Sequence, residues 1–170
     1  TGYEPLKDKP IKVHFYIPTG ADMTTMPILF VFPGTGRNAN DYLAAWINTA
    51  KQKHIMVFAL EFPADTYSSS QYIEGGMYSG SNIRPETALT FTLIEPLLDY
   101  IRKETGSEQT HYGMFGHSAG AQFVQRFMTF KPTNRVNRGV SANAGWYTVP
   151  DFSISYPYGL KNSPATTQGV

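Results

Sequence analysis

The segment that decides the fold is HYGMFGHSAGAQFVQRFMTF, residues 111–130. Its first part, 111–115, predicts a β-strand, and 119–130 predicts an α-helix. Between them lies a G-x-S-x-G pattern with Ser118 at its centre. A strand that turns this sharply into a helix holds the middle residue in a strained backbone conformation and raises its side chain above the sheet. The pattern therefore predicts a serine hydroxyl presented at the carboxyl end of a strand.

Two interpretations of Ser118 compete. In one, the serine is incidental, because a five-residue pattern with three fixed positions also arises by chance at a glycine-flanked helix start. In the other, Ser118 is a nucleophile. The first turn of the following helix leaves backbone N–H groups unpaired and carries the positive end of the helix dipole, so it stabilises negative charge on a substrate oxygen. Since a strand is predicted before the motif and a helix after it, we favour the nucleophile.

A second glycine-bearing loop follows another buried strand. The continuous apolar run 28–32 lies between two prolines and predicts a strand buried on both faces, and PGTGRN follows at 33–38. An oxyanion hole needs two converging donors, one of them from the residue after the nucleophile, which is Ala119. We expect the second from the N–H of Thr35 or Gly36. A tight turn that merely requires glycines is the alternative, and a phosphate-binding loop is disfavoured because the Gly-Lys-Ser/Thr ending is absent.

Strand and helix patterns alternate along the chain. Apolar runs predict strands at 11–17, 28–32, 55–60, 111–115 and 138–142. Helical spacing predicts helices from residue 40 with Asn38 or Asn40 as N-cap, over 86–104 with a kink or break at Pro96, and over 119–130. This alternation predicts an α/β fold with a mostly parallel central sheet flanked by helices, and places active-site residues beyond the carboxyl ends of the strands. Residues 61–85 read as one long loop rich in Tyr, Ser and Gly.

Composition excludes several classes of function. The 170 residues are 41% hydrophobic and 16% charged, as expected of one globular domain. The formal net charge of +1 gives no field that would steer the protein to nucleic acid, and no stretch approaches the roughly 20 apolar residues of a membrane span. The absence of cysteine excludes disulfides and thiolate nucleophiles. Carboxylates and histidines do not cluster at metal-ligand spacing, so we expect no metal and no cofactor.

On these residues the chain resembles the α/β-hydrolase superfamily, and more narrowly its secreted esterase branch, which contains polyhydroxyalkanoate depolymerase-like and feruloyl-esterase-like enzymes. The matching segments are 30–38, 116–120 and 145–147. The resemblance extends over about residues 11–160 and implies a serine hydrolase that cleaves carboxylic esters through an acyl-enzyme on Ser118. It also implies a secreted or periplasmic protein and a small-molecule or carbohydrate-linked ester as substrate. Many members have His where this chain has Pro33, a departure that leaves the backbone donors in place.

The catalytic base is missing from the pattern. In this superfamily the acid and then the histidine follow the serine, but beyond Ser118 the chain has a single acid, Asp151, and no histidine. We expect Asp151 to be a turn residue. The four histidines are His14, His54, His111 and His117, all upstream. None is expected to act as base. His54 precedes its strand and His111 begins its own, so both lie at the wrong end of the sheet, His14 is in mid-strand, and the His117 side chain should diverge from its neighbour.

Three explanations for the missing base stay open. The favoured one is that residues 1–170 form a single α/β-hydrolase domain that lacks its C-terminal strands together with the acid and the histidine. The second is a catalytically inactive hydrolase-fold binding module. The third is an upstream base in an unusual arrangement.

Three further residues are expected near the substrate. Trp146 and Tyr147 lie at the carboxyl end of a predicted strand and are candidate pocket walls. Glu61 follows another strand, where it either forms a salt bridge or contacts substrate. The aromatic residues of 65–83 either bind sugars or phenolic acyl groups or simply pack.

Overall fold

A computed structural model describes residues 7–165, so the predicted domain over 1–170 extends beyond the described residues at both ends. The strands are β1 (Lys12–Tyr16), β2 (Ile28–Phe32), β3 (Met56–Glu61), β4 (Tyr78–Ser79), β5 (Asn82–Ile83), β6 (Tyr112–His117) and β7 (Val136–Ala142). The helices are α1 (Ala39–Lys53), α2 (Ser69–Ile73), α3 (Ile94–Thr105) and α4 (Ala119–Phe130).

Five of the strands form one sheet in the order β1-β3-β2-β6-β7. β1 runs antiparallel to β3, and the other neighbouring pairs are parallel. In this register Phe32 lies opposite Gly116, and His117 lies opposite Ala142. The carboxyl ends of β2, β6 and β7 therefore lie side by side at the same end of the sheet. The mostly parallel sheet predicted from the alternation is confirmed.

Helices cover both faces of this sheet. On one face α1 packs with Val31, Val57 and Ala59, and on the other an aromatic core that includes Phe30 and Phe123 packs with α3 and α4. Residues of β2 are buried on both faces, as its continuous apolar run predicts. No helix among residues 7–165 is both long and apolar enough to cross a membrane.

The segment read as one long loop, 61–85, contains regular structure. Helix α2 begins with a capping box, in which the Gln71 N–H donates to the Ser68 hydroxyl and the Ser68 N–H donates to the Gln71 side chain. β4 and β5 then form a short antiparallel hairpin. The S-x-x-Q spacing was the available sequence signal for α2, and the Tyr, Ser and Gly content of the segment concealed it.

The helix predicted over 86–104 is divided, as Pro96 led us to expect, but the division lies before the proline. Two short 3-10 turns cover 86–88 and 90–93, and α3 begins at Ile94. Pro96 consequently occupies the first turn of α3, where its missing N–H removes no helical hydrogen bond.

Candidate active site

Ser118 occupies the tight turn between β6 and α4. Its backbone has φ 56° and ψ −116°, a conformation that non-glycine residues rarely adopt. The Ser118 N–H donates to the Ala142 carbonyl (3.0 Å), and the Ser118 carbonyl accepts from the Gln122 N–H (3.2 Å). The strained conformation expected from the motif is therefore present, and hydrogen bonds to β7 and to α4 hold it in place.

The two glycines of the motif are required by close packing of backbone on backbone. A Cβ on Gly116 would lie 2.1 Å from the Gly120 carbonyl oxygen. A Cβ on Gly120 would lie 2.1 Å from the Phe32 carbonyl oxygen and 2.7 Å from that of Pro33. The start of α4 is thus pressed against the end of β2, which brings Ser118 beside the loop that follows β2.

In the 33–38 loop, Gly34 is the residue that lies beside the Ser118 side chain. The Cβ position of Gly34 lies 3.5 Å from the Ser118 Cβ and 3.8 Å from its Oγ. Thr35 and Gly36 are exposed. Among residues 7–165, the backbone N–H groups of Thr35, Gly36 and Ala119 donate no hydrogen bond. The three predicted oxyanion donors are therefore unpaired, on two segments that meet at Ser118.

Two buried side chains hold the 33–38 loop in place. The Tyr72 hydroxyl donates to the Pro33 carbonyl (2.7 Å), and Arg37 Nη1 donates to the Phe62 carbonyl (2.7 Å). The Arg37 guanidinium lies 4.0 Å from the centre of the Tyr72 ring. Burial raises the pKa of Tyr72 and lowers the pKa of Arg37, so the phenol stays protonated as a donor. The Arg37 N–H closes the turn on the Gly34 carbonyl (3.0 Å).

The His117 side chain turns away from Ser118 towards α1. Its Nδ1 is 2.7 Å from the Tyr42 hydroxyl, with which it shares a hydrogen bond. The same hydroxyl lies 3.2 Å from the Cβ position of Gly34. His117 is therefore bonded to α1 through Tyr42, whose hydroxyl lies beside Gly34, and this agrees with the expected divergence of His117 from its neighbour.

The remaining histidines lie elsewhere. His14 Nε2 pairs with Glu61 on the neighbouring strand (2.8 Å). His54 ends α1 in a left-handed conformation, and the His111 Nδ1 is bonded to Thr110 before β6 begins. Within residues 7–165, no histidine is hydrogen-bonded to Ser118.

Both aromatic residues expected as pocket walls follow β7. The Trp146 ring packs on Tyr158, with 5.7 Å between the ring centres, and the Arg126 guanidinium lies 5.6 Å from the Trp146 ring. Tyr147 is 45% exposed and donates its hydroxyl to the Ser141 carbonyl (3.0 Å). Tyr147 is thus an exposed surface residue, whereas Trp146 packs over α4.

The Glu61 carboxylate at the end of β3 forms salt bridges with two residues of the neighbouring strand β1. Its two carboxylate oxygens pair with Lys12 Nζ (2.9 Å) and His14 Nε2 (2.8 Å). These contacts, that with Lys12 first, lower the pKa of Glu61. Because β2 separates β3 from β6, the structure does not bring this carboxylate to Ser118. Of the two roles considered for Glu61, the structure has the salt bridge.

Asp151 is a turn residue, as expected. Its carboxylate accepts hydrogen bonds from the Ser153 hydroxyl and N–H (both 2.7 Å), which lower the pKa of Asp151. No group of three or more His, Cys, Asp or Glu in the described part of the chain is arranged to hold a metal ion.

Sequence reasoning missed two residues on the face of α4 that continues from Ser118. Gln122 is one helical turn beyond the serine, and Arg126, with no exposed surface, is one turn further on. The i+4 spacing was the signal that places all three on one face of the helix.

Comparison with known proteins gives likenesses among solved structures. No protein-family model matches the chain, and no curated protein does. Poly(aspartic acid) hydrolase-1 from Sphingomonas sp. KT-1 is 45% identical, with a TM-score of 0.91, over 95% of this chain and 61% of that one. Poly(3-hydroxybutyrate) depolymerase from Bordetella parapertussis is 29% identical, with a TM-score of 0.91, over 99% of this chain and 58% of that one.

A third solved structure shares the fold alone. Acetyl xylan esterase from Aspergillus awamori is 13% identical, with a TM-score of 0.60, over 79% of this chain and 48% of its own. This chain spans about three fifths of the length of the first two relatives. The mostly parallel sheet, the strained serine turn and the likeness to the first two structures show that the chain has the α/β-hydrolase fold.

Proposed function

We propose that the protein is a serine hydrolase in which Ser118 forms an acyl-enzyme. The observation that carries the proposal is the position of Ser118, held at φ 56° beside Gly34, between two segments with unpaired N–H groups. This arrangement supports two of the requirements of acyl transfer, namely a presented hydroxyl and donors for the oxygen that becomes negative.

The reaction follows from these positions. The Ser118 Oγ attacks the acyl carbonyl carbon and loses its proton to a base. The carbonyl oxygen becomes an oxyanion, which the N–H of Ala119 and that of Thr35 or Gly36 stabilise. The C–O bond to the leaving group then breaks as that group takes up a proton, leaving the acyl group on Ser118. Water attacks the acyl-enzyme in the same way and releases the acid.

The base is the component that this chain does not supply in contact with Ser118. A serine hydroxyl is a weak nucleophile without one. The four histidines are engaged or placed elsewhere, and Asp151 is held in a turn. We assign the base and its acidic partner to the part of the relatives' length that this chain does not span, which is 39–42% of those proteins.

The substrate we propose first is a carboxylic ester of a small molecule or of a carbohydrate, cleaved in a secreted or periplasmic setting as the resemblance implies. A second candidate is the amide linkage of a poly(aspartic acid)-type polymer. It is favoured by the 45% identity with poly(aspartic acid) hydrolase-1. Both substrates use the same acyl transfer, and Trp146 stands beside α4 as a candidate wall for either.

Labelling of the full-length protein with a fluorophosphonate probe tests the nucleophile. We expect one covalent adduct, located on Ser118 by peptide mass spectrometry and absent from Ser118→Ala. Equal labelling of both proteins would overturn the proposal. Release of p-nitrophenol from short-chain esters, and of shorter chains from poly(aspartic acid), then separates the two substrates.

The alternative is an inactive binding module on the same fold. Its motivation is the absence of a histidine in contact with Ser118 among residues 7–165. It predicts that the full-length protein neither reacts with the probe nor turns over any ester or polyamide. Turnover that is lost in Ser118→Ala would exclude it.

A further inference from the structure

One face of α4 continues from Ser118 into a group of buried polar side chains. Gln122 and Arg126 follow the serine at successive i+4 positions, and the Gln122 N–H is bonded to the Ser118 carbonyl. The segment 145–148, which follows β7, covers this face and is tied to it by hydrogen bonds of Thr148. A group of buried polar side chains therefore begins one helical turn from the proposed nucleophile.

Arg126 is a buried cation that has no ion pair among residues 7–165. Its Nε donates to the Thr148 hydroxyl (2.9 Å), and its Nη1 donates to the Ile73 carbonyl (3.0 Å) and to Gln122 Oε1 (3.1 Å). Its Nη2 is buried and donates to nothing in the described chain. Glu74 is the acid that acts on it electrostatically, without a salt bridge. Burial of a charge without an opposite charge is unfavourable, so an anion that binds Arg126 would be stabilised there.

The contact with Arg126 fixes the orientation of the Gln122 amide. A guanidinium only donates, so the amide oxygen must face it and the amide nitrogen must point elsewhere. That nitrogen, Nε2, lies 3.1 Å from the Cβ position of Gly145 and makes no hydrogen bond in the described chain. Gly145 therefore approaches the amide closely, and a side chain at residue 145 would crowd it.

Trp146 adds a third unpaired donor to the same group. Its indole Nε1 is buried without a hydrogen-bond partner among residues 7–165, and its ring lies 5.6 Å from the Arg126 guanidinium. Buried donors normally find acceptors. Here Arg126 Nη2 on α4 and Trp146 Nε1 on the 145–148 segment are buried without an acceptor among residues 7–165.

We propose that Gln122, Arg126 and Trp146 form a subsite that binds a carboxylate of the substrate next to Ser118. A carboxylate only accepts hydrogen bonds and carries the charge that Arg126 lacks as a partner. Arg126 Nη2 and Trp146 Nε1 are enclosed in this structure. The proposal therefore requires that the 145–148 segment move and break the hydrogen bonds of Thr148 to α4, with Gln122 Nε2 as the first contact of the carboxylate. The subsite rests on the proposed function and selects substrates whose acyl part carries an acid group.

Ligand binding to the Ser118→Ala protein tests the subsite without turnover. Monomethyl succinate, an anion, is compared with its neutral isostere methyl succinamate by titration calorimetry and by the indole N–H signals of ¹⁵N-labelled protein. We expect the anion to bind about tenfold or more tightly than the amide and to shift the Trp146 indole signal, which Trp146→Phe identifies. Equal binding of the two compounds would overturn the subsite.

Variants separate the subsite from general charge. Gln122→Leu and Arg126→Gln should each reduce the preference for the anion to less than about threefold. Arg138→Gln removes a cation from the exposed strand β7 and should keep the full preference. If Arg126→Gln does not fold, the preference for the anion is measured in Gln122→Leu and Trp146→Phe instead. Preference retained in both of the folded subsite variants overturns the proposal.

The outcome is independent of the labelling of Ser118. Selective binding of the anion without reaction at Ser118 would leave the subsite standing and remove the proposed hydrolase. Reaction at Ser118 without selective binding of the anion would support the proposed hydrolase and overturn the subsite.

Discussion

Gly120 in α4 lies so close to Phe32 at the end of β2 that a Cβ on residue 120 would stand 2.1 Å from the Phe32 carbonyl oxygen. This approach joins the helix that follows Ser118 to the strand that leads into the 33–38 loop. The proposed nucleophile and the proposed oxyanion donors are thereby held together by a backbone contact, which no side-chain rotation relieves.

Gly120→Ala should therefore affect both stability and reactivity. The atoms in the way belong to the backbone of Phe32 and Pro33, so strand and helix must move apart, at a cost of about 1–3 kcal/mol or more in the free energy of unfolding. Because this movement separates Ser118 from the 33–38 loop, the second-order rate constant for labelling of Ser118 by fluorophosphonate should also fall. Urea unfolding and labelling kinetics measure the two effects.

Gly80→Ala is the control for the loss of a glycine as such. Gly80 has φ +60° and no atom within 4 Å of its Cβ position, so the substitution costs backbone strain alone, about 1–2 kcal/mol. Labelling of Ser118 should be unchanged. Wild-type stability and labelling rate in Gly120→Ala would contradict the close packing described here.

Tyr72→Phe tests the anchoring of the 33–38 loop. The substitution removes the hydroxyl that donates to the Pro33 carbonyl and leaves a buried acceptor unpaired, which costs about 1–3 kcal/mol. Because the loop carries the proposed donors Thr35 and Gly36, we expect slower labelling of Ser118 and, in the full-length enzyme, a lower kcat with little change in KM.

Tyr67→Phe is matched to this variant. The Tyr67 side chain is also buried and donates its hydroxyl to a backbone carbonyl, that of Lys9, which is not part of the 33–38 loop. Its loss should lower the free energy of unfolding and leave the labelling rate of Ser118 unchanged. Equal loss of reactivity in the two variants would show a general effect of destabilisation rather than anchoring of the loop.

Glu61→Gln should lower stability only where Glu61 is ionised. The partners Lys12 and His14 depress the pKa of Glu61 below its ordinary value of 4.5. The stabilisation is therefore fully present above that value and disappears as the pH falls through the lower pKa of the folded state. We expect a decrease in Tm of about 1–3 °C at pH 7 that vanishes towards pH 3.

Glu104→Gln provides the comparison for Glu61→Gln. Glu104 is an exposed carboxylate at the end of α3, and it makes no ion pair among residues 7–165. Its substitution should leave Tm unchanged at both pH values. A Tm difference between wild type and Glu61→Gln that persists at pH 3 would contradict the assignment to ionic contacts.

The features that could be predicted from sequence are those set by local pattern. Apolar period and glycine spacing are properties of neighbouring residues, so they place the strands, α4 and the turn at Ser118. The same holds for α2, whose capping box at Ser68 and Gln71 is local, although the composition of the segment obscured it.

The remaining site contacts join residues far apart in sequence. Glu61 meets Lys12 through the antiparallel register of β1 on β3, 49 residues away, and the Arg126 side chain bonds Ile73 across 53 residues. Arg126 is also buried in a helix whose other buried residues are mostly apolar, so its charge departs from the hydrophobic pattern. Side-chain partners of this kind depend on register and packing, which no spacing in the sequence specifies.

We predict that His117 is not the base that activates Ser118. His117 adjoins the proposed nucleophile in sequence, but its Nδ1 is bonded to Tyr42. His117→Gln retains an acceptor for that hydroxyl and should keep the labelling rate of Ser118 in the full-length protein within about threefold, since a general base is worth about 10²–10⁴-fold. His111→Gln, at the opposite end of β6, is the control and should have no effect. A fall of about a hundredfold in His117→Gln alone would instead make His117 the base, and would replace the assignment of the base to sequence outside this chain.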